Sequence, residues 1–145
     1  DAPSTINRLL NMGIEPFLVS SACNLILAQR LARKICKDCR EPASVPEKTL
    51  IDLGLTPEQA EAMECFKGKG CATCAGTGYK GRIALYEVMP FSEPLKEAVL
   101  NGASSAEIKR TAINDGMKSL RMSGVTKVAE GVTTIEEILR VTMAD

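Results

Sequence analysis

The stretch CATCAGTGYKGR, residues 71–82, contains two cysteines with two residues between them, followed by two glycines and a basic turn. A second pair of the same spacing, CKDC, occupies residues 36–39, and the chain contains no histidine. Each CxxC turn can direct two thiolates toward one tetrahedral metal ion. Two such pairs predict a zinc site with four cysteine ligands. The predicted ligands are Cys36, Cys39, Cys71 and Cys74.

Two other uses of a CxxC pair remain open at this point. A thioredoxin-type redox motif explains one pair but not two. Disulfides are typical of secreted proteins, and the chain has no signal-peptide pattern. Glycine-rich turns at Gly70, Gly76 and Gly78 and nearby basic residues can stabilise thiolate charge, which favours the metal site. Cys23 and Cys65 lie in apolar patterns and are expected to be small buried residues rather than ligands.

Composition limits both the fold and the partners. The 145 residues are 45% hydrophobic but only 3% aromatic, which favours a helical core over a β-sandwich. Eighteen basic and eighteen acidic residues cancel, so no net field draws the chain to nucleic acid or to an anionic membrane. No apolar run approaches the roughly 20 residues of a membrane span. The chain begins without methionine, and we expect it to be a piece of a longer protein.

The hydrophobic patterns predict mostly helices and one clear strand. A short helix is expected over residues 3–13 and a long helix over residues 15–35, which runs into the first cysteine pair. Residues 40–48 are expected to be a linker, and residues 79–91 to be the strand. The other predicted helices lie at 46–54, 56–65, 92–102, 104–116, 118–131 and 133–145. We therefore expect a mostly α fold with a small β element (α+β), in which a helical domain carries an inserted Cys₄ zinc-binding subdomain.

The chain lacks the groups needed for catalysis of its own. It has no GxxxxGK[ST] phosphate-binding loop and no histidine for acid–base chemistry. The acidic pairs Glu61 with Glu64 and Glu136 with Glu137 fall on polar helix faces and are expected to be solvated. The 31 residues between the cysteine pairs exceed the usual spacing of a zinc ribbon, so a segment is expected to loop out there.

The strings at residues 1–39 and 68–90 resemble the C-terminal part of the ATPases of type II secretion and type IV pilus assembly. This resemblance covers almost the whole chain. It implies a hexameric motor in the bacterial cytoplasm, whose Walker motifs lie upstream and which binds ATP and Mg²⁺ only as the intact protein. It also implies that the two CxxC pairs are the structural zinc site of that family. A closed Cys₄ site has no open position, so its zinc braces the fold rather than catalysing.

The resemblance also implies a layout, site residues and partners. Residues 1–33 correspond to the C-terminal helices of the ATPase core lobe, 34–78 to a tetracysteine zinc-binding subdomain, and 79–145 to a C-terminal strand and helical bundle. The expected partners are the other subunits of a homohexamer and the inner-membrane platform protein, but no nucleic acid. The expected location is cytoplasmic, peripheral at the inner membrane through these partners. The residues expected near the nucleotide of the intact motor are Arg8 and Arg30, on helices, and Arg82, after the glycine turn.

Two other classes of protein contain similar motifs. The first is a stand-alone zinc-ribbon module for nucleic acid or protein, and the balanced charge and scarce aromatic residues argue against its nucleic-acid form. The second is the DnaJ-type chaperone zinc domain, whose CxxCxGxG unit matches CATCAGTG. The first pair, CKDCREPA, lacks both glycines, so that match fails. The motifs do not separate the pilus branch from the secretion branch.

Overall fold

The computed structural model describes all 145 residues and contains eight helices and four strands. Helices make up 44% of the chain and strands 21%, which confirms the α+β class. The helices are α1 (Ala2–Asn11), α2 (Pro16–Ala22), α3 (Glu47–Asp52), α4 (Pro57–Ala62), α5 (Glu93–Leu100), α6 (Ser105–Asn114), α7 (Leu120–Ala129) and α8 (Ile135–Val141). The strands are β1 (Leu25–Ile35), β2 (Arg40–Ala43), β3 (Cys65–Gly68) and β4 (Tyr79–Pro90). None of the helices has the length and apolar character that crossing a membrane requires.

The four strands form two separate two-stranded sheets, one of β1 with β4 and one of β2 with β3. In the first, Phe91 N donates to Asn24 O at 3.0 Å and Cys36 N donates to Gly78 O at 2.9 Å, so the two strands run antiparallel. In the second, Arg40 lies opposite Gly68 in an antiparallel register. Because β2 and β3 pair, the chain between them, which carries α3 and α4, forms a closed insertion.

The long helix predicted over residues 15–35 is wrong. Helix α2 ends at Ala22, Cys23 is extended with φ −85° and ψ 129°, and β1 begins at Leu25. The leucines, alanines and basic residues of this segment have high helix propensity, which the pairing with β4 overrides. That pairing gives the backbone of β1 a partner for its hydrogen bonds, so tertiary context decides the local structure.

The expectation of one strand and of a linker over residues 40–48 is also wrong. Strand β2 occupies the first part of that linker, and β3 overlaps the short apolar stretch that contains Cys65. Each of these strands has four residues, which is too short for an alternating pattern to be visible in the sequence. Pro42 within β2 is also unfavourable for a strand in the sequence, although proline is tolerated in a strand at the edge of a sheet.

The helices predicted over residues 92–102, 104–116 and 133–145 are confirmed, and each begins with a capping side chain. The side chains of Ser92, Ser104 and Thr134 each accept a hydrogen bond from the backbone N–H three residues later. Each of these bonds satisfies one of the free N–H groups of a first helical turn. The two short helices of the insertion, α3 and α4, lie where residues 46–54 and 56–65 predicted them.

The chain divides into two compact units. The first combines Asp1–Gln29 with Tyr86–Leu120, and the second combines Arg30–Leu85 with Arg121–Asp145. The core of the first unit is almost entirely aliphatic, as the composition predicted. Its buried members are Ala2, Ile6, Val19, Met89, Phe91, Leu95, Val99, Ile108, Ala112 and Met117. The domain boundaries predicted after residues 33 and 78 stay a prediction.

Glu87 on β4 is a buried carboxylate of the first unit, with 1% of its surface exposed. Its Oε1 accepts a hydrogen bond from Ala2 N at 2.8 Å, and its Oε2 accepts one from Leu120 N at 3.0 Å. These N–H groups stand at the beginnings of α1 and α7, where a helix has free donors and a partial positive charge. The carboxylate therefore joins two helix beginnings to β4.

Replacing Glu87 by glutamine is expected to destabilise the first unit by about 2 kcal/mol, because one N–H donor then faces the NH₂ group of the amide. The measurement is the urea unfolding midpoint of the variant against the parent. The matched control is Glu97→Gln on the exposed side of α5, for which we expect a change within about 0.5 kcal/mol. Equal midpoints for the two variants would show that the two bonds of Glu87 contribute nothing.

Candidate metal centre

The four cysteines of the two CxxC pairs lie together in the second unit, with all four Sγ atoms within 4.8 Å of one another. Cys71 Sγ is 3.7 Å from both Cys36 Sγ and Cys74 Sγ, and Cys39 Sγ is 3.8 Å from Cys74 Sγ. These separations are far longer than the roughly 2.05 Å of a disulfide. The cluster can therefore hold one metal ion, although the role of these residues as ligands stays a prediction.

The topology explains why the two cysteine pairs meet. The first pair lies on the turn from β1 to β2, which we call the first knuckle. The second pair lies on the segment from β3 to β4, which we call the second knuckle. Because β1 pairs with β4 and β2 pairs with β3, both turns are brought to the place where the two sheets adjoin. Two backbone bonds cross between the turns, from Cys36 N to Gly78 O at 2.9 Å and from Lys69 N to Cys39 O at 3.0 Å.

Backbone N–H groups point at two of the four sulfur atoms. Cys74 Sγ accepts hydrogen bonds from Cys71 N at 3.3 Å and from Gly78 N at 3.2 Å, and Cys39 Sγ accepts one from Gly70 N at 3.3 Å. No backbone N–H donates to Cys36 Sγ or to Cys71 Sγ. Such bonds stabilise negative charge on sulfur. The backbone therefore stabilises a thiolate at Cys39 and Cys74 but not at Cys36 and Cys71.

This inequality appears in the pKa values of the thiols. Burial raises the pKa of Cys39 to about 12, which the bond from Gly70 does not offset. Burial also acts to raise the pKa of Cys74, but the two backbone N–H groups and the neighbouring thiols outweigh it and lower that pKa to about 6. The thiolate of Cys74 is therefore favoured near neutral pH, and a metal ion would displace the proton of Cys39 as it binds.

Glycine permits the close approach of the backbone around the cluster. Gly78 has φ +80°, and a Cβ atom at this position would lie 2.5 Å from the backbone oxygen of Gly68. Gly68 is the last residue of β3, so the chain entering the second knuckle and the chain leaving it are in direct backbone contact. A side chain on Gly78 would separate them, and the N–H bond from Gly78 to Cys74 would be displaced with it.

The other two cysteines lie outside the cluster, as expected. Cys65 is 7% exposed on β3, and burial raises the pKa of its thiol. Cys23 packs against the hydrophobic core of the first unit.

The three arginines expected near a nucleotide lie on three different elements. Arg8 is exposed on α1 in the first unit, whereas Arg30 on β1 and Arg82 on β4 are exposed in the second unit. The expectation that Arg30 sits on a helix is wrong, because its segment forms β1. Their proximity to a nucleotide stays a prediction.

An ion cluster near the first knuckle was missed in the sequence. The side chain of Glu137, at the start of α8, is 1% exposed, so the expectation that it is solvated is wrong, although its neighbour Glu136 is exposed. Its Oε2 accepts a bond from Arg33 N at 2.8 Å, and its Oε1 lies 2.7 Å from the Arg33 guanidinium. Arg140 donates to both carboxylate oxygens, at 2.8 and 2.9 Å. The Arg33 guanidinium also stacks 4.2 Å above the ring of Tyr79.

The cluster makes the stability of the second unit depend on pH. The hydrogen bonds from Arg140, supported by those from Arg33, lower the pKa of Glu137 to about 2 against the opposing effect of burial. An ordinary glutamate has a pKa near 4.3, so the unfolded chain takes up the proton first as the pH falls. The stabilisation is therefore complete above about pH 5 and lost progressively toward pH 2, and at neutral pH it is worth about 2–3 kcal/mol.

We expect the loss of this stabilisation at low pH to appear in the difference in unfolding free energy between the parent and Glu137→Gln. The variant should be less stable at pH 7, because its neutral amide pairs poorly with two guanidinium groups, and the gap should narrow as the pH falls from 5 to 3. Urea unfolding at a series of pH values measures it. Metal loss in acid affects both proteins, so the difference between them isolates Glu137. A gap that stays constant with pH would contradict this role.

Two cysteine turns on adjoining two-stranded sheets, with an insertion between them, form a tetracysteine cluster that could hold a metal ion within an α+β chain. The chain belongs to the type II/IV secretion system protein family, whose model matches residues 1–140. It is 55% identical over 100% of its length to the type IV pilus assembly ATPase PilB of Myxococcus xanthus. The corresponding identity is 42% over 96% for PilB of Thermus thermophilus and 40% over 99% for the type II secretion system protein E of Aeromonas hydrophila. The chain spans only 26%, 16% and 28% of the lengths of these three relatives.

Proposed function

We propose that the chain is the C-terminal region of a hexameric cytoplasmic motor ATPase that powers type IV pilus assembly or type II protein secretion. The observation that carries this proposal is the 55% identity, along the whole chain, to a pilus assembly ATPase. The chain has no phosphate-binding loop, so ATP and Mg²⁺ are bound by the intact protein through Walker motifs outside this segment. The intact protein works in the cytoplasm and reaches the inner membrane through its partners.

The test compares the intact protein with the 145-residue chain. The intact protein is expected to assemble as a hexamer and to hydrolyse ATP, whereas the chain alone should show no turnover, because transition-state charge requires the phosphate loop and Mg²⁺. Mass photometry and phosphate release measure the two properties. Turnover by the chain alone, at a rate that further purification leaves unchanged, would overturn the assignment, as would an intact protein with no ATPase activity.

We also propose that the metal is a structural Zn²⁺ held by Cys36, Cys39, Cys71 and Cys74. Zn–S bonds of about 2.3 Å place the four sulfurs of a tetrahedral site about 3.8 Å apart. Three of the sulfur–sulfur distances in the cluster are 3.7, 3.7 and 3.8 Å, which fits that geometry. Four cysteines fill the coordination shell of such an ion and leave no open position, so the metal braces the fold.

The zinc site braces the insertion that carries α3 and α4. Each of these helices has six residues, and helices this short are marginal in water without support. Their buried apolar residues are Leu50 and Ala60, which cannot form a core by themselves. The two knuckles close the ends of the insertion, and structural zinc supplies on the order of 10 kcal/mol in favourable cases. The metal therefore fixes a surface that the polypeptide could not hold alone.

The braced surface is suited to a partner with basic and apolar residues. A groove of about 530 Å³ lies between α4 and α7 and has apolar walls that include Leu55 and Met63. Glu64 lines the groove, and Glu58 and Glu61 are exposed on α4, the helix whose Gln59 and Ala62 also line it; none of these three carboxylates forms an ion pair. We propose that a basic amphipathic segment of the inner-membrane platform protein binds there.

We propose that the braced surface couples ATP hydrolysis to the partner. An experiment on the intact motor separates this role from a purely structural role, in which zinc only keeps the protein folded. Cys71→Ser is expected to leave the ATPase rate per assembled hexamer largely unchanged while pilus extension or secretion falls. Steady-state abundance, ATPase rate and extension are measured in the same strain, and Cys23→Ser is the control. If the ATPase rate falls in proportion to extension, the zinc only keeps the protein folded.

A further inference from the structure

We propose that Cys71 is the oxidation-sensitive ligand of the zinc site, which a hydroperoxide attacks before the other three cysteines. This inference rests on the proposed zinc site. It starts from the unequal burial of the four ligands: Cys36 and Cys74 are 1% and 5% exposed, whereas Cys39 and Cys71 are partly exposed. A peroxide molecule therefore reaches the cluster from the side of the two partly exposed residues, Cys39 and Cys71.

Hydrogen bonding then distinguishes the two exposed ligands. Cys39 Sγ accepts the N–H of Gly70 at 3.3 Å, whereas Cys71 Sγ accepts no backbone N–H. A hydrogen bond to a metal-bound thiolate draws electron density from the sulfur and weakens it as a nucleophile. Oxidation is selective for thiolates that are both accessible and electron-rich. Cys71 is the one ligand of the four that meets both conditions.

The chemistry needs only a hydroperoxide as co-reactant. The Cys71 thiolate attacks the nearer peroxide oxygen, an S–O bond forms, the O–O bond breaks, and hydroxide (or alkoxide) leaves. The sulfur is oxidised to a sulfenic acid while the peroxide is reduced. A second thiolate then attacks the Cys71 sulfur, forms a disulfide and expels hydroxide. Cys36 Sγ and Cys74 Sγ both lie 3.7 Å from Cys71 Sγ, so either can act.

The consequence is release of the metal and loosening of the insertion. A disulfide removes two of the four thiolates, and the two remaining ligands do not hold zinc at the affinity of a closed site. Because α3 and α4 depend on the knuckles, the proposed partner surface is lost together with the ion. Reduction of the disulfide by a thiol restores both thiolates, so the change is reversible.

The test treats the zinc-loaded chain with less than one equivalent of hydrogen peroxide in the presence of dimedone, which traps sulfenic acids. Zinc content is measured first, a chelating dye follows zinc release, and peptide mapping locates the first dimedone adduct or disulfide. We expect the first product to contain Cys71 and zinc release to parallel its formation. A first product that lacks Cys71 overturns the inference alone. A chain that binds no zinc overturns the proposed site as well.

A matched pair of variants provides the second measurement. Histidine is also a zinc ligand, so Cys71→His is expected to keep the metal and to release it about tenfold more slowly under peroxide. Cys39→His, the control, alters the other exposed ligand and is expected to release zinc at about the parental rate. Equal rates for the two variants would overturn the inference. If Cys71→His fails to retain zinc, the peptide mapping of the parent chain decides.

Discussion

Replacing Cys36 by serine is expected to abolish metal binding and to unfold the insertion between the two knuckles. The serine hydroxyl is a poor zinc ligand, and three remaining thiolates leave an open, weaker site. Structural zinc contributes on the order of 10 kcal/mol to folding in favourable cases, so the loss exceeds that of any ordinary core substitution. Metal analysis by mass spectrometry and hydrogen exchange of residues 40–70 measure the two effects.

The first unit provides the internal control for this experiment. Its core lies mainly in α1, α2, α5, α6 and the end of β4, and this unit contains none of the four clustered cysteines. Protection of its amides from hydrogen exchange is therefore expected to survive in the Cys36→Ser chain. Cys23→Ser, which removes a cysteine outside the cluster, should retain one metal ion per chain. The account fails if the chain with all four clustered cysteines replaced by serine melts like the parent.

The second large effect is expected from Gly78→Ala. A Cβ at this position meets the backbone oxygen of Gly68 at 2.5 Å, and the backbone has φ +80°, which disfavours any L side chain. Relief of the overlap must move β3 away from the second knuckle and displace the N–H that bonds to Cys74. We expect a loss on the order of 3 kcal/mol in stability, together with weaker metal affinity.

Gly76→Ala is the matched control, because Gly76 has nearly the same backbone conformation, φ +78°, but no atom within 4 Å of the added Cβ. Its cost should be limited to the left-handed conformation, about 1 kcal/mol, with little change in metal affinity. Chelator competition and thermal unfolding of the two variants separate steric overlap from backbone conformation. Equal losses would show that the contact with Gly68 is unimportant.

Much of the site could be predicted from the sequence because its signals are local. Each CxxC pair is visible within four residues. Because the chain has no histidine, both halves of the predicted site use cysteine ligands. The caps at Ser92, Ser104 and Thr134 are likewise local, since a side chain bonds a backbone group three residues away. These features needed no knowledge of which strands pair.

The features that were missed depend on partners distant in sequence. Strand β1 has a helical composition and becomes a strand only because β4, some fifty residues later, supplies its hydrogen bonds. Glu137 looks like a solvated helix residue until Arg33, from β1, is placed beside it. One local signal does favour a break in this segment: the run Ser20 to Asn24 contains several weak helix formers, which makes it a poor centre for a long helix.

The central claim is that one Zn²⁺ joins the two knuckles through Cys36, Cys39, Cys71 and Cys74. The most direct measurement is zinc K-edge X-ray absorption on the purified chain, because it reports the ligand atoms and their distances without mutation. The account predicts one zinc per chain with four sulfur neighbours at about 2.3 Å and no nitrogen or oxygen in the shell. Absence of zinc, or a shell with fewer than four sulfurs, would contradict it.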